Sequence, residues 1–290
     1  MSPKGYVAIS VLVCATVGLG LAFAQTIAPG TGQWTISSSR VDDRVQLTIQ
    51  RNNGINSNMS SSSPMQLNQL RGLTRAQLDS TGSAAAFELV RDAGTFHFQG
   101  FVQRGSGGGT LTFTANPNFS AEISALGYSG VTDDNIFVLA VHDVSATYIR
   151  DLTAAGVHPD SLDQVLTMRI HNVTVEYVRE LQSLGYAELS ADKLVTMRIH
   201  GVSPDFAREL KGMGYNSVST DQLVTMRIHG VSTDFMKEIE GLGYNHPGID
   251  QFVTMRIHGI TPDYIRKARE RGLQNLSIDQ LVGMKIHGVL

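Results

Sequence analysis

Cysteine is almost absent from this chain, because Cys14 is the one cysteine among 290 residues. It lies inside an apolar segment at the N-terminus, so the rest of the chain contains no thiol. The rest of the chain can therefore form neither disulfides nor thiolate sites, and its stability must come from packing.

An excess of charge of either sign is also lacking. The formal net charge is −3, and charged residues make up 17% of the chain against 42% for apolar residues. This balance gives no electrostatic indication of a nucleic acid or an anionic membrane as partner. The apolar content is that of a folded protein, and the length allows one large or two modest domains.

Sequence motifs for catalysis are missing as well. The glycine-rich run from Gly105 to Gly109 lacks the lysine and the following helix of a phosphate-binding loop. Serines cluster at Ser37 to Ser39 and at Ser60 to Ser63, but no flanking motif presents one as a nucleophile. The sequence predicts a protein that is not an enzyme and that has no catalytic residue, cofactor or metal.

Residues 1–24 have the organisation of a signal peptide. Lys4 provides a basic start, the stretch from Tyr6 to Ala22 is apolar apart from small residues, and Ala22-Phe23-Ala24 supplies the small residues that signal peptidase reads. We expect cleavage before Gln25 and export to the periplasm or the outside of a bacterial cell. A membrane anchor is the alternative, although an apolar stretch of 17 residues is short for a span.

What the chain has in abundance is internal repetition. The string TMRIH begins at Thr167, Thr196, Thr225 and Thr254, each 29 residues after the last. Six units of this length fill residues 117–290, a match that chance does not produce. Histidine keeps the step at His142, His171, His200, His229, His258 and His287, and aspartate keeps it at Asp134, Asp163, Asp192, Asp221, Asp250 and Asp279. An aromatic column comprises Phe119, Tyr148, Tyr177, Phe206, Phe235 and Tyr264, and a glycine column comprises Gly127, Gly156, Gly185, Gly214, Gly243 and Gly272.

Each unit is predicted to form two short helices, as residues 203–230 illustrate. Ser203-Pro204-Asp205 is typical of a helix start, with a capping hydroxyl, a proline in the first turn and an acid at the positive end of the dipole. Gly214 ends this helix, and a second runs from Ser219 to His229. The residue after each histidine is of a type that tolerates a left-handed turn: Asp143, Asn172, Gly201, Gly230, Gly259 and Gly288.

The second helix of each unit has an unusually wide apolar arc. Leu223, Val224, Met226 and Ile228 spread over more than half of its circumference, which predicts a helix sandwiched between neighbours. The first helix keeps one solvent-exposed face. Stacked helix pairs with an inner and an outer layer form an α-solenoid, so we expect six two-helix repeats of that kind in residues 117–290.

Residues 25–116 have a different character and predict a small antiparallel β-domain. Apolar and polar residues alternate from Phe96 to Gln103, as in a strand with one buried face. Gly105 to Gly109 is predicted to be a hairpin loop, Asp92-Ala93-Gly94 a second tight turn and Asn52 to Ser63 a polar loop. Trp34 to Ile36 and Val45 to Ile49 are expected to be further strands.

The unit LVTMRIHGVSPDFARELKGMGY, behind a region containing FELVRDAGTFHFQG, resembles a repeat region carried by many bacterial exported proteins. In some of these it follows a membrane zinc metalloprotease of the β-lactam sensor-transducer type or an anti-sigma-like module. The resemblance covers nearly all of the mature chain and implies an outward-facing accessory region of envelope sensing. This sequence has no HExxH motif and no multi-span segment. No catalytic residue is therefore carried over.

The histidine column suggests metal binding or helix capping. Successive imidazoles of a solenoid would be roughly 10 Å apart, whereas zinc ligands converge on one ion at about 2 Å each, so one such ladder cannot chelate. A histidine in the last helical turn satisfies end carbonyls, which favours capping.

A cation column, Arg169, Arg198, Arg227, Arg256 and Lys285, falls inside the apolar arc of the second helices. An unpaired buried charge is costly. The aspartate column is the only acid present in all six units, so we expect the two columns to form an ion-pair ladder. An anion-binding stripe is the alternative.

Short helices joined by a hydrophobic-Gly-hydrophobic turn also occur in DNA-binding helix-hairpin-helix modules. Those modules need a second glycine and a cationic surface to approach phosphates. Here serine or threonine replaces that glycine in most units, and residues 117–290 carry 15 Lys and Arg against 21 Asp and Glu. We therefore expect no nucleic-acid partner.

Candidate partner contacts lie in the column that varies most between units. Ser124, Thr153, Gln182, Lys211, Glu240 and Arg269 differ in every unit, and by helical angle they point away from the apolar stripe. Gln182, Lys211, Glu240 and Arg269 and the equally variable loops beside them are the predicted binding residues.

Two functions fit these features. The first is a non-enzymatic scaffold in the bacterial envelope that binds a protein or peptide along the solenoid, in sensing or regulation. The second is a recognition module for a glycan or another cell-wall polymer, with the β-domain as its binding part.

Export gives the first testable prediction. N-terminal sequencing of protein recovered from the periplasm should begin at Gln25, because the small residues before it define the cleavage site. Recovery of an intact Met1 in the membrane fraction would establish an anchor instead.

Overall fold

The computed structural model describes residues 31–38, 43–52 and 58–289. Strands occupy the chain up to Ala115, with a 3-10 helix (Leu67–Gln69) and one short α-helix among them, and α-helices follow from Phe119. Within the described ranges, no helix is long and apolar enough to cross a membrane. The predicted signal peptide lies outside these ranges.

Seven antiparallel strands form one sheet in the order β3-β2-β1-β7-β6-β5-β4. Helix α1 (Arg75–Asp79) packs on β5, β6 and β7. The strands are β1 (Thr31–Ser38), β2 (Arg44–Asn52), β3 (Asn58–Gln66), β4 (Leu70–Arg71), β5 (Ser83–Arg91), β6 (Gly94–Gln103) and β7 (Ser106–Ala115).

Trp34 lies on the sheet's buried face and is 1% exposed. Its ring packs edge-on against Phe87, with centroids 4.9 Å apart, and its Nε1 donates to the carbonyl of Gln99 at 3.1 Å. The indole reaches that carbonyl across Gly109, the residue paired with Trp34 in the next strand. A β-carbon at Gly109 would lie 2.0 Å from the same carbonyl oxygen, so this strand needs glycine here.

Two predicted loops are wrong. The run Gly105 to Gly109 is not a hairpin loop, because the turn consists of Arg104 and Gly105, both with positive φ, and the remaining glycines belong to β7. Likewise, the predicted polar loop Asn52 to Ser63 overlaps strand β3 from Asn58 onwards. Its serines pair with β2. The Ser62 hydroxyl accepts a hydrogen bond from Gln46 Nε2 at 2.8 Å and forms another with the Thr48 hydroxyl at 2.9 Å. Strands β1 and β2 and the turn after Arg91 are confirmed.

Twelve helices follow the sheet within the described residues. Even-numbered helices contact the next even-numbered one from α2 to α12, and odd-numbered helices contact the next odd-numbered one from α5 to α13. They are α2 (Phe119–Ala125), α3 (Asp133–Val141), α4 (Ala146–Ala154), α5 (Leu162–Ile170), α6 (Val175–Ser183), α7 (Ala191–Ile199), α8 (Pro204–Gly212), α9 (Thr220–Ile228), α10 (Thr233–Gly241), α11 (Ile249–Ile257), α12 (Pro262–Glu270) and α13 (Ile278–Ile286).

The local signals that predicted helix boundaries are confirmed. Ser203 caps α8 by accepting from the backbone of Phe206 at 3.1 Å, with Pro204 in the first turn. Beyond its C-terminus, the N–H of Tyr215 donates back to the carbonyl of Leu210 at 3.0 Å. All six residues that follow the histidine column have positive φ, from 55° at Asn172 to 70° at Gly201.

An aromatic contact joins the sheet to the first helices. Phe137 of α3 packs edge-on against Phe96 and Phe113 of the sheet, with ring centroids 5.4 Å and 5.3 Å away. Arg51 covers the same ring at 4.5 Å and pairs with Asp134 at 2.9 Å. The sheet and α3 are therefore in direct contact.

Asp143 forms a second connection between the sheet and the helices. Its carboxylate pairs with Arg91 of β5 at 3.3 Å and with Arg169 of α5 at 3.0 Å. Burial lowers the pKa of Arg91, whose side chain is only 14% exposed, and Asp143 is the nearby acid that opposes this shift. Beside it, Asp92 accepts from the backbone N–H of Ala146 at 2.8 Å. The next unit has Asn172 where Asp143 stands, and the four units after it have glycine.

Replacing this carboxylate should weaken the connection. Asp143→Gly keeps the positive φ but leaves the buried Arg91 without its acid, so we expect the free energy of unfolding in urea to fall by about 1–2 kcal/mol. Asn172→Gly is the matched control, because Asn172 has the same backbone conformation and no ion pair. Its unfolding free energy should change by less than about 0.5 kcal/mol. Equal losses in both variants would show that the ion pairs contribute nothing.

Candidate interaction surface

The odd-numbered helices α5 to α13 each expose one ridge of side chains. In α7 the ridge consists of Asp192, Thr196 and Ile199, whose spacing of four and three residues places them on one face. All three are exposed, whereas Leu194 and Met197 between them are fully buried. The ridge recurs at each unit's step, so three rows of side chains follow the helices.

The first row is the isoleucine rail. Each member occupies the last helical position before the histidine and is 50–60% exposed. The prediction that Ile228 lies in a sandwiched apolar arc is therefore wrong. Leu223 and Met226 face the core and are fully buried, but the last turn directs Ile228 outward. The isoleucine rail comprises Ile170, Ile199, Ile228, Ile257 and Ile286.

The second row, the threonine rail, comprises Thr167, Thr196, Thr225 and Thr254. Three of these hydroxyls donate to the carbonyl four residues earlier in their own helix, at 2.7 Å for Thr167, 2.9 Å for Thr225 and 2.8 Å for Thr254. Their donor is already used, so each of these side chains offers a methyl group and an acceptor oxygen for contact.

The third row, the aspartate rail, comprises Asp163, Asp192, Asp221, Asp250 and Asp279. All five are exposed and lie in the first turn of their helix. Asp192 accepts from Gln164 Nε2 at 2.7 Å. Within the described part of the chain none of the five has an ion-pair partner, whereas Asp134, the first member of the sequence column, pairs with Arg51.

The expected ion-pair ladder between the cation and aspartate columns is wrong. Each cation instead covers the aromatic ring of the preceding even-numbered helix, as Arg198 covers Tyr177 at 4.7 Å and Arg256 covers Phe235 at 4.9 Å. Arg227 covers Phe206 in the same way and is exposed rather than buried. Because the ring face attracts the cation, no carboxylate is needed there.

The histidine column occupies the C-terminal ends of the odd-numbered helices, but its imidazoles do not satisfy end carbonyls. No hydrogen bond joins these side chains to any other described residue. The histidine carbonyl accepts instead from the next cation, at 3.3 Å from Arg169 to His142, 3.3 Å from Arg198 to His171 and 3.4 Å from Arg256 to His229. Burial lowers the pKa of His142. In the described ranges no group of three or more metal-ligating side chains converges.

The predicted partner contacts are engaged in packing between units, so the premise that packing leaves them free is wrong. Gln182 Nε2 donates to the carbonyl of Ala155 at 2.6 Å, and Arg269 donates to that of Leu242. Lys211 lies 5.9 Å from the ring centre of Tyr186. These helical positions point back to the preceding unit, where they meet its glycine turn.

Glu240 also packs on the preceding unit, where it contacts Tyr215. The single proton of the Tyr215 hydroxyl is shared between two acceptors, the Glu240 carboxylate at 2.9 Å and the carbonyl of Pro247 at 3.0 Å. His246 stacks on Tyr215 with ring centroids 4.0 Å apart. Burial and the neighbouring Glu240 raise the pKa of Tyr215. Tyrosine follows four of the six column glycines. Three of these hydroxyls donate to a carbonyl in the variable loop of the next unit, Tyr128 to Pro159, Tyr215 to Pro247 and Tyr244 to Leu276, so this tyrosine was the sequence signal for the cluster.

The sheet offers a separate exposed surface. Phe101, on β6, is 50% exposed, opposite Ala84 and Gly108 in the neighbouring strands. Gln99, Thr110 and Thr112 provide polar side chains on exposed positions nearby. An exposed aromatic ring among hydroxyls and amides is suited to stacking against a sugar ring.

Comparison with known proteins adds no family to this description. No protein-family model matches the chain, and no curated protein matches it.

The revised role of the variable column can be tested at Glu240. Glu240→Lys removes an acceptor from the partly buried Tyr215 hydroxyl and places a cation beside it, so we expect the free energy of unfolding to fall by about 1–2 kcal/mol. Glu270→Lys is the control, because Glu270 is exposed and has no ion pair within the described residues. That variant should stay within about 0.5 kcal/mol of the parent in urea unfolding. If the Glu240→Lys protein were as stable as the control, the variable column would not contribute to packing between units.

Proposed function

We propose that this protein is a non-enzymatic binding scaffold of the bacterial envelope. Helices α2 to α13 would form six two-helix units stacked as an α-solenoid, and the face made by the three rails, here called the rail face, would bind a protein partner. The observation that carries this proposal is the isoleucine rail, a row of large apolar side chains that repeats without being buried.

Packing does not account for the isoleucine rail. Side chains in the core are repeated because each unit packs alike, but the rail members are half exposed and could be polar at no cost to the core. Recent copying of the repeat does not account for it either, because the variable column differs in all six units. An exposed apolar row of this kind is typical of an interaction surface.

The helix contacts support the stacking. Odd-numbered helices touch odd-numbered ones and even-numbered helices touch even-numbered ones, as two layers of a solenoid would. The N-terminal segment and the lack of cysteine beyond it support export. The resemblance to repeat regions of exported bacterial proteins supports a role in envelope sensing or regulation, with no nucleic acid involved.

Site-specific crosslinking in cells tests the proposal. A photoreactive residue replacing Ile199 or Ile228 should trap one discrete partner, because these side chains protrude from the rail face. The same residue at Arg208, exposed on an even-numbered helix, is the control and should trap none. Crosslinks from Arg208 alone, or none from either rail position, would contradict a partner on this face.

A second candidate function is recognition of a glycan or cell-wall polymer by the sheet, favoured by the exposed Phe101. In that case Phe101→Ala would abolish co-sedimentation of the protein with insoluble cell wall. Substitution of the isoleucine rail by serine would leave that co-sedimentation unchanged.

A further inference from the structure

We infer that the occupant of the rail face is a cationic amphipathic α-helix lying along the stack, with its apolar side on the isoleucine rail and its basic side on the aspartate rail. This inference rests on the proposed function and names the chemistry of the partner. It depends on three matches, in width, period and charge.

The width of the rail face fits one helix. Asp192 and Ile199 are seven residues apart in α7, which separates the aspartate and isoleucine rails by about 10 Å along the helix axis. An α-helix with its side chains is about 10–12 Å across. Such a helix reaches both rails at once, with Thr196 and its equivalents beneath it.

The period of the rails also fits a helix. Packed helices lie about 8–10 Å apart, so the rails present one isoleucine and one aspartate at each such step. Seven residues of an α-helix advance by about 10 Å, so a heptad pattern meets every unit with the same side. Three residues of an extended strand cover about the same distance, but its side chains alternate between faces. A strand would therefore contact only every second unit.

The charge left free on the rail face is negative. The guanidinium groups of Arg198 and Arg256 cover aromatic rings and donate to histidine carbonyls, so they are already engaged. The five aspartates of the rail are exposed and have no ion pair among the described residues. The dipole of their own helix stabilises an acid in the first turn but supplies no mobile counter-charge. Lysine or arginine on the occupant would supply it.

Burial of the threonine rail by an occupant carries little desolvation cost. The hydroxyls of Thr167, Thr225 and Thr254 keep their hydrogen bonds to their own helices when water is removed. An occupant that covers them leaves no unsatisfied donor. Apolar methylene stems of basic side chains can rest on the threonine methyl groups.

The test uses a defined peptide and the full mature chain. The probe is a synthetic helix of four heptads with leucine on one line and lysine on the adjacent line, and its binding is followed by fluorescence anisotropy. We expect saturable binding that weakens as salt is added, because the aspartate rail is exposed to screening. Comparison peptides replace lysine by glutamate, scramble the heptad, or substitute a proline-rich basic sequence, and all three should bind at least about tenfold more weakly.

Variants of the protein locate the site. Ile199→Ser, Ile228→Ser and Ile257→Ser together should weaken binding about tenfold or more through lost apolar contact. Asp192→Asn, Asp221→Asn and Asp250→Asn together should remove most of the salt dependence. Arg208→Ser with Lys237→Ser, exposed on even-numbered helices, is the matched control and should leave both unchanged. Unaltered circular dichroism and melting would show that each variant is folded.

Several outcomes would overturn the inference. These are failure of the lysine probe to bind, equal binding by the isoleucine variant, or a preference for the glutamate or proline-rich peptide. A dimer of the chain that the isoleucine variant dissociates would make a second copy the occupant. If the rail positions crosslink to a partner in cells while the probe does not bind, the partner chemistry is wrong and the proposed function stands. Absence of those crosslinks would contradict both the proposed function and this inference.

Discussion

The helical part of this protein depends on one contact between successive units, in which a cation of one odd-numbered helix lies over the C-terminal turn of the previous one. Arg256 covers the ring of Phe235, and its Nε donates to the carbonyl of His229. A β-carbon on Gly230, the residue after that histidine, would lie 3.0 Å from Arg256 Nη2. The left-handed turn thus serves two purposes, since it ends one helix and leaves room for the cation of the next.

The first unit uses the same contact to connect the helices to the sheet. Asp143 has the left-handed conformation that glycine has in later units, but it adds a carboxylate between Arg91 and Arg169. At Gly230 the same position leaves room for the side chain of Arg256, whereas at Asp143 it forms ion pairs with Arg91 and Arg169. Asp143 therefore both ends a helix and attaches the helices to the sheet.

These contacts between units also decide which surface is free. The cation column and the variable column are both occupied by packing on the preceding unit, as Arg198 and Gln182 show. On the ridge with Asp192, Thr196 and Ile199, the contact with the preceding unit is the hydrogen bond that Asp192 accepts from Gln164, and all three side chains stay exposed. The exposed surface of the odd-numbered helices is therefore the one whose sequence repeats, whereas residues of the variable column pack on the preceding unit in different ways.

Features that arise within a few residues of the chain could be predicted from residue types. Helix starts such as Ser203 and the positive φ of Asn172 depend on local backbone preferences, so residue type predicts them. Arg198 contacts the ring of Tyr177 and the carbonyl of His171, which are 21 and 27 residues away, and Ile228 is 53% exposed although its residue type is apolar. These features depend on how distant parts of the chain pack, which residue types alone do not specify. Gly109 is a further example. Its pairing with Trp34 places it in a strand, and the indole that reaches the Gln99 carbonyl across it explains why this residue is glycine.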